Sequence, residues 1–147
     1  MLCGLPQPVW HVVKMSDMRS FLNITKALAD ETRLRILMAL RHGEMCACQI
    51  IALLELAPST VSRHLYLLTQ ARLIEKRKCG KWIYCRLPAA AEAPSPEVRS
   101  ALAMTCAALS GNERIAKDDV NLVAIKAMSL EEVCCPLNEK RRGASCR

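Results

Sequence analysis

The stretch "STVSRHLYLLTQARLIEKRKCGKWIYCRL", residues 59–87, changes its hydrophobic period part-way along. In its first half Val61, Leu65 and Leu68 recur at i, i+4, i+7, which places them on one face of a helix and turns Ser62, Arg63 and Tyr66 elsewhere. Pro58 suits the first turn of that helix, which runs to about Ala71. In the second half Ile83, Cys85 and Leu87 alternate with Trp82, Tyr84 and Arg86, next to the turn "KCGK". That spacing predicts a two-stranded hairpin with a basic tip. Helix, short turn, helix and basic hairpin together make a winged helix-turn-helix, a mainly α (α+β) fold. In this arrangement the helix beginning at Pro58 enters the DNA major groove, and the hairpin lies along the phosphates.

Upstream, "SDMRSFLNITKALA" (16–29) carries a helical stripe through Phe21, Ile24 and Leu28. Asp30 is placed to cap a second helix, "ETRLRILMALRH", with Leu34, Leu37, Met38 and Leu40 on its buried side and Gly43 stopping it. A third helix fits Met45 to Glu55. Downstream, "PAAAEAPSP" is a linker. Ser95 and Pro96 open a fifth helix with Val98, Leu102, Cys106 and Leu109 along one side, broken by Gly111 and Asn112. A weakly helical segment follows. In "SLEEVCC", Ser129 and Glu132 have capping-box spacing, and "LNEKRRGASCR" has the composition of a disordered end. The expected organisation is an extension at 1–15, a DNA-binding and dimerisation domain at 16–110 and a cysteine-containing tail at 111–147.

Composition narrows the function. Apolar residues make up 52% of the chain but only five residues are aromatic, so the core is aliphatic and favours helices. The net charge is +7, and residues 59–87 hold seven basic residues against Glu75 alone, or +6. A solvated lysine-rich surface usually interleaves both signs. A concentrated positive stretch is the footprint of a polyanion binder. The start "MLCGLPQPVWHVVK" lacks the basic and apolar regions of a signal peptide, and no apolar run reaches the ~18 residues of a membrane span. Nine cysteines in such a chain point to a reducing cytoplasm, where thiols serve metals or redox chemistry. There is no C-x-x-C, Gly-rich cofactor loop or nucleophile–base motif, so an enzyme is the weakest reading.

"EMCACQI", residues 44–50, poses a separate question. On a regular helix Cys46 and Cys48 project about 200° apart, since residues two apart do not face each other. A disulfide cannot close across so short a span without distortion. The alternatives are two small core residues at a helix start, or two ligands for one ion.

The run "ALADETRLRILMALRHGEMCACQI", followed by "STVSRHLYLLTQARLIEKRKCGKWIYCRL", resembles the ArsR/SmtB family of bacterial metal-responsive repressors over roughly residues 21–109. The resemblance implies a homodimer, joined through the first and fifth helices, that represses transcription on double-stranded operator DNA until an inducer binds. It also implies that "E-x-C-x-C" is a thiolate site for trivalent arsenic. Sb(III) and other thiophilic ions are further inducers, and no resident cofactor is required. Trivalent arsenic makes a pyramidal three-coordinate site with soft sulfur donors. Ligand binding would distort the third helix and so oppose DNA binding. The expected function is an arsenite-responsive repressor of arsenical resistance, with cadmium or lead, or thiol oxidation or persulfide, as alternative stimuli. DNA-contact candidates are Ser59, Thr60, Ser62, Arg63 and His64 on the recognition helix and Arg77, Lys78 and Lys81 on the wing.

The chain departs from that pattern in three places. A third cysteine, often three residues after the second, is replaced by Ile51, so a third sulfur must come from Cys3, Cys106, Cys134, Cys135 or Cys146. The pair Cys134–Cys135 is the expected addition to Cys46 and Cys48, read against a chance vicinal pair in a tail. No histidine lies on the fifth helix, so the family's helix-five zinc site has no counterpart; the three are His11, His42 and His64. Ala57 stands where a capping serine is common. Cys85 and Cys106 read as packing residues and Cys79 as an exposed one. Arg33 and Arg35 are either solvated charges or phosphate contacts.

Overall fold

The computed structural model describes residues 17–89, 91–92, 94–134 and 136. Helix α1 (Met18–Leu28) buries Ile24 and Ala27. Phe21, expected on the buried stripe, is 49% exposed, because the inward face runs through the small Ala27 instead. Asp30 caps α2 (Glu31–Leu40) as expected, accepting from the Arg33 backbone N–H at 2.9 Å. Every residue from Arg35 to Leu40 is buried, so α2 is the central helix rather than a one-sided one. Gly43, at φ +112°, takes a backbone conformation that L side chains rarely adopt and turns the chain toward β1.

The expected third helix is shorter at its start. Met45–Cys46 is a strand, β1, and α3 spans Ala47–Leu54. Glu55 closes α3 in the left-handed conformation, its N–H reaching the Ile51 carbonyl at 3.0 Å. Helix α4 (Pro58–Gln70) follows and buries Val61, Leu65 and Leu68. Each such side chain contributes roughly 1.5–3 kcal/mol on full burial, so this stripe fixes which face α4 offers to solvent.

The hairpin is β2 (Glu75–Cys79) and β3 (Trp82–Arg86), in register from Glu75↔Arg86 to Cys79↔Trp82 around a turn with Gly80 at φ +59°. The expected two-stranded wing belongs to a three-stranded antiparallel sheet, order β1–β3–β2, in which Met45 pairs with Cys85 and Cys46 with Tyr84. The wing is therefore continuous with the strand that carries the first cysteine of "CAC".

Ser95 caps α5 (Pro96–Leu109), which buries Val98, Ala101 and Thr105. Leu102, Cys106 and Leu109 are only half-buried, so Cys106 is not the core residue expected. The segment read as weakly helical is a 15-residue helix, α6 (Glu113–Ala127), capped by Asn112 and packed on α2 and α3 through Ile115, Asp118 and Leu122. Asp118 receives a forked pair of bonds from Arg35 of α2, at 2.7 and 2.9 Å. That bonding raises the Arg35 pKa above its ordinary value, against the opposing effect of burial. Asp119 binds Arg41 and His42, and Lys126 reaches the His42 carbonyl at 3.1 Å. After α6, Ser129 and Glu132 form the expected reciprocal capping box (2.8 and 3.2 Å), which brings Val133 and Cys134 into the interior. Among the described residues no helix is long and apolar enough to cross a membrane.

Candidate metalloid centre and nucleic-acid interface

Three sulfurs converge where β1, α3 and the segment after α6 meet. The Sγ atoms of Cys46, Cys48 and Cys134 all lie within 4.8 Å of one another. Cys46 and Cys134 are each 1% exposed, and Cys48 is half-buried. The shift of the helix start resolves the spacing problem. Cys46 precedes α3 in extended conformation (φ −68°, ψ 144°), so the helical angle between residues two apart does not apply. Its N–H is held by the Gln49 side-chain carbonyl at 2.9 Å, which fixes the turn from strand to helix. Cys48 and Cys134 are joined as a disulfide, with Cα atoms 5.5 Å apart. The same sulfurs can thus be an oxidised pair or, when reduced, donors to a thiophilic ion.

Of the other sulfurs proposed as third donors, Cys106 on α5 is not in this cluster, and Cys3, Cys135 and Cys146 lie outside the described residues. Cys85 sits beside the centre in β3, fully buried and free. Burial pushes its thiol up to about 11, with smaller contributions from nearby charges, so it is the protonated packing residue expected. Cys79 is exposed at the wing turn.

On α4, Ser59, Thr60, Ser62 and Arg63 are all exposed, as a groove-facing surface requires. Tyr66, 57% exposed, and Gln70 continue that face; the i+3 spacing from Arg63 and i+4 spacing from Ser62 was the available signal for Tyr66, and the i+4 step from Tyr66 for Gln70. His64 turns back instead. Its Nδ1 lies 3.4 Å from Arg33 Nη1 and 3.6 Å from Asp30 Oδ1. Arg33 also donates to the Ala27 and Lys26 carbonyls at 2.7 and 2.9 Å, so it ties the end of α1 to α4. Both arginines left open by the sequence, Arg33 and Arg35, are therefore engaged inside the fold.

On the wing, Lys78 and Lys81 are exposed, and the Lys81 ammonium lies 4.6 Å from the Trp82 ring centroid. Arg77 is exposed but engaged. Its guanidinium forks onto Glu44 at 2.7 and 2.6 Å and lies 4.6 Å over the Tyr84 ring. The guanidinium holds the Glu44 carboxyl below its usual range. Arg86 is paired with Glu75 at 2.7 Å and lies 3.5 Å from Glu92.

Residues 30–76 match the family described as "Bacterial regulatory protein, arsR family". This chain belongs to the ArsR family. The arsenic resistance transcriptional regulator ArsR1 of Pseudomonas putida is 43% identical over 65 residues, which is 44% of this chain and 51% of that one. This ArsR-family chain thus aligns with about half the length of that relative. Among solved structures it resembles the homodimeric winged helix-turn-helix DNA-binding domain Mb0332 of Mycobacterium bovis, a possible ArsR-family regulator. Identity there is 25% and the TM-score 0.52, covering 67% of this chain and 91% of that one. It also resembles the AntR antimony-specific transcriptional repressor, at 26% identity and TM-score 0.52, covering 76% and 98%. An ArsR-family winged helix-turn-helix is a DNA-binding regulator's architecture, which sets the enzyme reading aside.

Proposed function

We propose that this ArsR-family chain is a cytoplasmic repressor that binds operator DNA as a homodimer and leaves it when trivalent arsenic or antimony binds Cys46, Cys48 and Cys134. The observation that carries the reading is the triangle of three sulfurs, two of them buried and the third half-buried. Trivalent arsenic forms three pyramidal bonds to thiolates, and a triad matches that number. Once a low-molecular-weight thiol has given two electrons and two protons to the Cys48–Cys134 disulfide and left as its own disulfide, three As–O bonds of arsenous acid break, three As–S bonds form, and three waters leave with the thiol protons. Cys135, adjacent to Cys134, remains part of the proposed donor region. The unit at 16–110 supplies DNA contacts through the exposed face of α4 and through Lys78 and Lys81, with Arg77 joining them only where its fork on Glu44 opens, and the segment beyond it completes the sensor. Dimerisation is supported by apolar residues on α1 (Met18, Phe21, Leu22) and α5 (Met104), two helices in contact, that are exposed in the single chain.

Coupling follows from shared elements. The metalloid would draw together β1, α3 and the segment after α6, and α3 packs on α4. A 100-fold loss of DNA affinity needs roughly 2.7 kcal/mol of coupling, within the ordinary allosteric range. The test is a titration of reduced protein on operator DNA with arsenite, antimonite, methylarsenite, cadmium and lead. Release by arsenite or antimonite at the lowest concentrations is expected. Release by cadmium or lead alone would overturn the metalloid assignment.

A second reading rests on the Cys48–Cys134 disulfide. Oxidation of these thiols would itself alter the junction of α3 with the segment after α6, making oxidant the stimulus. Peroxide-driven release without any metalloid, lost in Cys48→Ser, would favour that reading.

A further inference from the structure

We propose that the buried Arg35–Asp118 pair is a positioning device that brings the third sulfur to the centre. This rests on the three-sulfur reading above. Neither side chain belongs to the sulfur cluster, yet together they tie α6 to α2 across 83 residues of sequence. Their side chains are only 9% and 5% exposed, and both guanidinium–carboxylate bonds are short and parallel. The apolar grip of α6 is narrow: besides Asp118 it buries Ile115 and Leu122, with Ile125 partly buried against the core, while Val120 and Val123 face outward. The other ties of α6 to the α2 end, from Asp119 to Arg41 and His42, are more exposed. Cys134 follows α6 directly, through the turn capped by Ser129 and Glu132. Where α6 docks therefore sets where Cys134 lies.

A guanidinium buried opposite a neutral partner is poorly compensated, so removing the carboxylate disfavours the docked helix. An apolar pair of similar volume can keep it docked without charge. With α6 loosened, Cys46 and Cys48 remain on β1 and α3 as a two-sulfur site. That site still serves phenylarsenite, whose As–C bond leaves two positions for thiolates, but it no longer holds inorganic arsenite with three.

The test compares full-length wild type, Asp118→Asn and the double variant Arg35→Met/Asp118→Leu. The first readout needs no metalloid: hydrogen peroxide takes two electrons and two protons from Cys48 and Cys134 and leaves as two waters, and peptide mapping follows the disulfide. The others are arsenic–thiolate absorption with arsenite and binding of phenylarsenite. Asp118→Asn is expected to slow the disulfide and weaken arsenite at least tenfold, with phenylarsenite changed less than twofold. The double variant should return all three to within threefold of wild type. Wild-type disulfide and arsenite behaviour in folded Asp118→Asn would overturn the proposal, as would equal losses for both arsenicals. Should Asp118→Asn fail to fold, Arg35→Lys keeps the charge but loses the fork; it should slow the disulfide several-fold, and a wild-type rate would overturn the proposal. If wild type binds no arsenite, the metalloid reading falls while the disulfide rates still decide the positioning role.

Discussion

Glu44 and Arg77 form a two-pronged ion pair, at 2.7 and 2.6 Å, between the residue that leads into β1 and the first strand of the wing. The pair lies at the surface, where such bridges contribute little to stability. Its consequence is for charge: an arginine forked on a carboxylate is not available to a phosphate. Glu44→Gln is expected to free Arg77, tighten nonspecific DNA binding and steepen the salt dependence by about one unit in log–log slope. A slope equal to wild type would place Arg77 away from the DNA.

The lysines of the wing tip act by the opposite sign. Neutralising Lys78 and Lys81 together is expected to flatten the salt slope by about one to two units, nearly uniformly across DNA sequences. Arg63→Ala should instead lower specific binding more than nonspecific, by about 1–3 kcal/mol of discrimination, because it stands on the exposed face of α4. Binding isotherms over a salt series on operator and scrambled DNA separate the two effects.

Among the sulfurs, Cys46→Ser, Cys48→Ser and Cys134→Ser should each leave DNA binding nearly intact and greatly weaken release by arsenite. A hydroxyl is a hard neutral donor that trivalent arsenic holds poorly. Cys79→Ser and Cys106→Ser, outside the cluster, should respond as wild type. A response kept in Cys134→Ser but lost in Cys135→Ser would move the third donor by one residue.

The Cys85 thiol gives a pH signature. Its pKa is raised from 9.0 to about 11, so the folded state holds its proton more tightly than the unfolded one. Stability from this residue is complete below pH 9 and is lost as pH rises through 11, by roughly 3 kcal/mol. Cys85→Val should remove that component of the alkaline loss in denaturant titrations between pH 8 and pH 11. An unchanged alkaline limb would contradict the assignment.

The sequence made the helices legible wherever one residue type imposed a local rule. Asp30, Ser95 and the Ser129–Glu132 box all cap as their spacing requires, and the stripe of Val61, Leu65 and Leu68 is buried. The strand at Met45–Cys46 was not legible. Two residues have no period, and their conformation comes from pairing with Cys85 and Tyr84 about forty residues later. The packing of α6 was hidden for a similar reason: its key polar contact, Arg35–Asp118, joins distant residues and leaves no local pattern. Cys134 was among several candidate sulfurs, and only the tertiary path of α6 brings it beside Cys46 and Cys48. His64 was misleading because position on α4 alone does not show that Asp30 and Arg33 lie under it.

The third sulfur follows every element of the DNA-binding unit in chain order. On the proposed reading, a stop codon between Met128 and Val133 would yield a product with α1 to α6 present and Cys134 absent. Such a truncated polypeptide would still occupy operators, alone or paired with full-length partners, yet respond weakly to the toxicant. In a heterozygous or plasmid-borne setting it would behave as a dominant super-repressor. Cells carrying it would be arsenite-sensitive despite intact resistance genes.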